Sequence, residues 1–246
     1  DWKKYVERVG RWVDFDNSYK TMDNSFIESV WWAIKQIYDK GLLYEGRKVL
    51  MYCPRCETPL SKAEVAMDHS YKDITEDAIT VKFKLKPGQK LGNFETDNNT
   101  YILAWTTTPW TLPGNTALAV NEEIDYCLAE YDGEKEKCVL AKERTVILKE
   151  GYKVLQEVKG KNLVGLDYEP LYEIPAIKNS NKKSHYVVSA DFVTVKDGTG
   201  IVHIAPMYGE DDYILGIKYD LPVIPLLDSG GHFSKEAPEF IRGQYY

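Results

Sequence analysis

The run Ile79-Thr80-Val81-Lys82-Phe83-Lys84-Leu85 decides the fold class. Apolar side chains fall on 79, 81, 83 and 85, and polar ones on 80, 82 and 84. A period of two belongs to a strand with one face buried and one wet. Strand-like segments recur at 101–105, 116–120, 126–130, 152–158, 186–190 and 201–204. Turn clusters separate them, among them Lys86-Pro87-Gly88, Asp97-Asn98-Asn99 and Lys196-Asp197-Gly198. Helices are expected at 141–150 and 211–219, and polar 179–184 is expected to be an exposed loop. Many short strands with few helices predict an α+β fold: a β-rich, barrel-like domain over 71–246 with a few peripheral helices.

Upstream of residue 70 the period lengthens. Ile27, Val30, Trp31, Ile34 and Tyr38 share one helical face within 24–40. Ser25 with Glu28 is expected to form a capping box, and Gly41 to stop the helix. Residues 48–52 read as a strand leading into Cys53-Pro54-Arg55-Cys56. Residues 1–70 therefore form a separate helical and Cys-knuckle segment.

Composition narrows the function classes. With 43% hydrophobic and 28% charged residues the chain resembles ordinary globular proteins, so wholesale disorder is excluded. No strictly apolar run exceeds five residues, so no membrane span is expected. Asp1-Trp2-Lys3-Lys4 is no signal peptide and carries no initiator Met, so a piece of a longer cytoplasmic protein is expected. The net charge of −7 argues against coating nucleic acid broadly, but not against gripping one nucleic-acid end.

Four cysteines are too few for a disulfide framework. Cys127 and Cys138 lie singly in strand-like surroundings and read as core. Cys53 and Cys56 put two thiols on one knuckle, which suits zinc, but no second Cys-x2-Cys supplies the other two ligands. Half a zinc site completed from elsewhere, a metal-free knuckle and a redox pair all remain open.

Two segments carry chemistry. The first is Trp105-Thr106-Thr107-Thr108-Pro109-Trp110-Thr111-Leu112-Pro113-Gly114-Asn115. Three successive hydroxyls end an apolar strand, and Pro109 ends its pairing. The plain alternative is that threonines serve strand propensity and prolines turn the corner. The second is Gly198-Thr199-Gly200-Ile201-Val202-His203-Ile204-Ala205-Pro206-Met207-Tyr208-Gly209-Glu210-Asp211-Asp212. Its Gly-x-Gly turn allows close backbone approach to a ligand, and a strand then carries His203. Against function stand two ordinary explanations: a satisfied core histidine, and carboxylates that favour a helix N-terminus.

Together the two segments resemble the editing domain of isoleucyl-tRNA synthetases, the insertion called connective peptide 1. The Thr-Thr-Thr-Pro-Trp-Thr-Leu-Pro-Gly-Asn stretch is similar to the family's threonine-rich motif. Gly-Thr-Gly-Ile-Val-His-Ile-Ala-Pro, with Asp212 nine residues after His203, is similar to its second editing motif. Arg11-Trp12-Val13-Asp14-Phe15, Tyr19, Thr21, Met22 and the 49–60 stretch are isoleucyl-like too. His-x-Gly-His and Lys-Met-Ser-Lys-Ser, needed to activate an amino acid with ATP, do not occur. ATP would serve only a catalytic body outside this sequence, and residues 1–70 would flank that Rossmann body.

The resemblance implies hydrolysis of valyl-tRNA(Ile) while isoleucyl-tRNA is rejected by size. A pocket fitting isoleucine discriminates against valine by only about 1–3 kcal/mol, a long-known limit for this amino-acid pair that a second sieve overcomes. Asp212 would anchor the α-ammonium group, and His203 would form the excluding wall. Thr106, Thr107 and Thr108 would hold the aminoacyl group, the adenosine and the attacking water. Trp105 and Asn115 would support them, and Trp110 would be core. Gly198, Thr199 and Gly200 would approach the terminal adenosine, and Tyr208, where many family members carry His, would stack on adenine. No cofactor is implied for editing, whereas zinc at Cys53 and Cys56 is implied for the full-length enzyme. The implied partners are the tRNA(Ile) 3′ end carrying valine and the remainder of the same synthetase chain, acting as a monomer. Two rival readings are a non-catalytic zinc-knuckle module that binds RNA or protein, and a free-standing deacylase.

Overall fold

The computed structural model describes residues 1–131, 135–148 and 151–246. Two compact units divide at Lys48, upstream of the expected residue 70: Asp1–Lys48 and Val49–Tyr246. The Cys knuckle therefore groups with the larger unit.

The smaller unit holds α1 (Trp2–Arg8) and α2 (Asn24–Asp39). The apolar stripe places α2 as expected, and Gly41, at φ 68°, ends it. The capping box does not form at Ser25 and Glu28. Ser25 lies inside the helix, behind an Asp23 N-cap that makes no side-chain bond. A capping box does form at α3 (Lys62–Val65), where Ser61 Oγ accepts from Glu64 N (3.2 Å) and Glu64 Oε2 from Ser61 N (2.7 Å). The strand expected at 48–52 shrinks to Tyr52–Cys53, paired with Thr58–Pro59 across the knuckle.

Eight strands form the two main sheets of the larger unit among the described residues: β1 (Ile79–Lys84), β2 (Thr100–Thr106), β3 (Ala117–Val120), β4 (Asp125–Tyr131), β5 (Lys137–Ala141), β6 (Tyr152–Lys159), β7 (Tyr186–Ser189) and β8 (Val202–Ile204). Five form one sheet in the order β6-β4-β5-β2-β1, and three form another in the order β7-β3-β8. The α+β expectation holds, but the barrel does not close. Within these sheets β1 pairs only with β2, and β6 only with β4, so both outer strands keep an edge. Lys82 and Lys84 on β1, and Lys153 and Lys159 on β6, put charge on those edges, which discourages pairing with another chain.

The period-two run behaves as read. Phe83 and Leu85 are fully buried in one cluster with Ile102, Leu118, Leu128, Val139, Tyr168, Val187 and Ile201, side chains from both sheets. The opposite face of the five-stranded sheet carries Leu103, Cys127, Cys138 and Leu140, covered by Leu148. Cys127 and Cys138 are thus core, and burial pushes the Cys127 thiol up to about 11. The cover is a 3-10 segment, Lys142–Leu148, and not the α-helix expected over 141–150, of which 149–150 lie outside the described residues. The outer face of the small sheet packs Ala117, Ala119, Val188 and Ile204 against Leu215 of α5 (Glu210–Lys218), which follows α4 (Pro175–Lys178). Among the described residues no helix is long and apolar enough to cross a membrane.

Candidate aminoacyl-ester site

β2 pairs with β1 through Ile79↔Thr106 and stops there. Pro109 cannot donate to a ladder, and Pro109–Gly114 winds into a 3-10 turn. That turn brings the hydroxyls together. Thr106 Oγ1 accepts from Thr108 N (3.0 Å) and lies 3.2 Å from Thr108 Oγ1. Thr111 Oγ1 donates to Thr108 O (2.8 Å). Thr106 and Thr111 are buried, whereas Thr107 and Thr108 are exposed.

β8 is three residues long and runs antiparallel to β3, with His203 opposite Leu118. Val202 and Ile204 pack toward α5, so alternation turns His203 to the other face. There its Nε2 lies 2.8 Å from Thr111 Oγ1 and its Nδ1 3.3 Å from Asn115 Nδ2. Both ring nitrogens are occupied, and burial pushes the imidazole down to about 4. A neutral ring with both nitrogens hydrogen-bonded is a poor proton acceptor.

Beyond β8 the chain turns at Pro206 into α5. Asp212 Oδ2, in the first turn, accepts from Ala205 N (2.9 Å). Desolvation raises this carboxyl to about 6, with Asp211 adding to the rise and the Ala205 N–H opposing it.

These two shifts act oppositely on stability. Unfolded His203 binds a proton below 6.5 and folded His203 only below about 4, so this group makes stability rise with pH across that window. Folded Asp212 keeps its proton to about pH 6 and unfolded only to 3.8, so this group makes stability fall as pH rises there. In the Asp212→Asn chain the opposing Asp212 slope is removed and the His203 slope remains. Urea midpoints should then climb from about pH 4 to about pH 6 more steeply than wild type. Parallel profiles for the two chains would contradict the assignment.

The other expected site residues have these surroundings. The Gly-Thr-Gly turn approaches protein: a Cβ on Gly198 would meet Trp105 at 2.9 Å, and one on Gly200 would meet Ala141 Cβ at 2.4 Å. Both glycines have positive φ (64° and 74°), and Thr199 Oγ1 is bonded to the Ile201 backbone. Gly200→Ala should therefore cost about 2–4 kcal/mol, read as a lowered melting midpoint; a midpoint within a degree of wild type would contradict this. Tyr208 accepts from Leu226 N (2.7 Å) and packs edge-on against Trp110 (5.1 Å). Trp110 is sandwiched half-buried between Tyr208 and Tyr246. Sequence reasoning missed two members. Thr111 sat unremarked within the quoted motif. Tyr168, fully buried, donates to Asn115 Oδ1 (2.6 Å) from a segment with no signature. Cys53 and Cys56 share the knuckle, and among the described residues no group of three or more His, Cys, Asp or Glu could hold a metal. The knuckle thus offers two of the four donors that zinc takes.

The family model for tRNA synthetases class I (I, L, M and V) matches residues 1–218. The chain belongs to that family. Among curated relatives, this synthetase chain is 52% identical over 235 residues to an isoleucine–tRNA ligase of Clostridium acetobutylicum, covering 96% of the chain and 21% of the relative. It is 43% identical over 265 residues to that of Treponema denticola, covering 98% and 24%. The chain thus spans about one fifth to one quarter of these relatives' length. Among solved structures, GlLeuRS-CP1 aligns at TM-score 0.46 and 20% identity, over 58% of each chain. The editing domain of the P. falciparum cytosolic leucyl-tRNA synthetase aligns at 0.37 and 18%, over 50% of this chain and 51% of that one.

Proposed function

We propose that this part of an isoleucyl-tRNA synthetase hydrolyses valyl-tRNA(Ile) and spares isoleucyl-tRNA(Ile). The observation that carries this reading is the bonded line Thr106–Thr108–Thr111–His203–Asn115, which joins segments 92 residues apart, with the Asp212 carboxylate held just beyond the same strand. A hydroxyl-rich floor, a neutral aromatic wall and a half-buried carboxylate suit a small, cationic, esterified amino acid.

Asp212 takes the α-ammonium group, a charge-assisted pair that draws the carboxyl back to its ionised form. His203 sets the depth of the side-chain pocket, so valine enters and isoleucine does not. The exposed Thr107 and Thr108 place the ester and the attacking water, and a hydroxyl of the terminal ribose assists the proton transfer. The ester is already activated, so orientation and fixed dipoles supply most of the rate. The partners are the tRNA(Ile) 3′ end carrying valine and the rest of the synthetase, which holds the tRNA body away from this chain's −7 charge. Cys53 and Cys56 supply half of a zinc site completed by residues outside this sequence.

The test is deacylation of valyl-tRNA(Ile) and isoleucyl-tRNA(Ile) by the purified chain. Hydrolysis of the valyl ester alone is expected. No hydrolysis at saturating protein would overturn the reading.

A further inference from the structure

We propose that Tyr168 is a positioning residue of this site, fixing through Asn115 which nitrogen of His203 carries the proton. The proposal rests on the editing reading for its functional consequence, but not for its structural content.

The argument is a count of donors. Tyr168 is fully buried, its ring held edge-on by Phe83 (5.4 Å) and His185 (5.7 Å). Its hydroxyl lies 2.6 Å from Asn115 Oδ1, an atom that can only accept, so the phenol donates. The amide is thereby oriented, and its NH₂ gives one proton to Ala117 O (2.9 Å) and the other to His203 Nδ1 (3.3 Å). Nδ1 must then be the lone-pair nitrogen. The imidazole proton sits on Nε2 and is donated to Thr111 Oγ1, whose own proton goes to Thr108 O. Donation runs one way, from Tyr168 to the exposed threonine. Reversing the tautomer would turn Oδ1 of Asn115 toward Ala117 O at 2.9 Å, two acceptors in repulsive contact.

The wall ring is thus locked from behind. Its Nε2–H fastens the floor of the pocket, and Thr111 is left with acceptor capacity facing Thr108 Oγ1 at 3.5 Å. Thr108, the exposed end, has its hydroxyl 3.2 Å from Thr106 Oγ1 and 3.5 Å from Thr111 Oγ1, and is the member of the line that the ester or the water can reach.

The experiment is ¹⁵N NMR of the histidine-labelled chain at neutral pH, with His203 assigned by its loss in His203→Gln. Wild type should show Nε2 protonated and Nδ1 bare. Tyr168→Phe should add a Nδ1–H population, and Asn115→Asp, an acceptor facing Nδ1, should put a proton there. In wild type, a slowly exchanging Tyr168 hydroxyl proton should show an NOE to Asn115, which keeps the test open should Tyr168→Phe fail to fold. An unchanged Nε2–H spectrum in a folded Tyr168→Phe chain, or no protected hydroxyl proton in wild type, would overturn the proposal. In deacylation, Tyr168→Phe should lower kcat roughly tenfold with KM for valyl-tRNA(Ile) unchanged; a merely structural role would lower the melting midpoint and leave tautomer and kcat alone. A wild-type chain without deacylase activity would defeat the editing reading while leaving the NMR result to judge Tyr168.

Discussion

Asp212→Ala should abolish hydrolysis of valyl-tRNA(Ile). The carboxylate is held at the β8–α5 turn by the Ala205 N–H. Truncating one member of a desolvated charge pair costs about 2–5 kcal/mol, or roughly thirtyfold to several thousandfold in kcat/KM. Asp212→Asn keeps an acceptor for the Ala205 N–H and removes only the charge, so it separates anchoring from folding. Both variants should retain a wild-type circular dichroism spectrum. Because burial raises this carboxyl to about 6, wild-type kcat/KM should also fall as pH drops below that value, as the anchoring anion is neutralised. Activity within threefold of wild type in Asp212→Asn would remove the anchor from the mechanism.

The second large effect is a gain. His203→Ala should hydrolyse isoleucyl-tRNA(Ile) at a rate approaching its valyl rate, because the size exclusion that separates the two side chains goes with the wall. The buried ring also satisfies Thr111 and Asn115, so the alanine chain will be less stable. His203→Gln keeps polar atoms there and serves as the folded control. The measurement is the ratio of the two deacylation rates. If that ratio stays at its wild-type value in both variants, His203 is not the sieve.

The sequence made the strands legible because Ile79, Val81, Phe83 and Leu85 face one core, a relation that period alone reveals. It made α2 legible through its stripe but misplaced the cap, since a serine beside an Asp23 N-cap looks the same in sequence as one that caps. Closure was not legible. Whether β1 and β6 meet depends on sheet curvature, which no local pattern encodes. The motifs marked His203 and Asp212, and geometry then gave them different surroundings: one sealed between the Thr111 hydroxyl and the Asn115 amide, the other accepting a backbone N–H. The surroundings of the Gly-Thr-Gly turn were not legible either. Absence of a Cβ marks a close approach without naming what approaches, and here it is Trp105 and Ala141. Tyr168 could not be read at all, because its partner Asn115 stands 53 residues away and no spacing rule connects them.

The 92 residues between Thr111 and His203 also set a clock. A ribosome adding about 5–20 residues per second needs roughly 5–18 s to carry the chain from one to the other. Throughout that interval the threonine turn exists without its ring. Thr111 and Asn115 must wait in water for the strand that will seal them. The bonded line is therefore a late product of synthesis. A nascent chain halted before β8 would own the threonine hydroxyls but not the ring that closes the line.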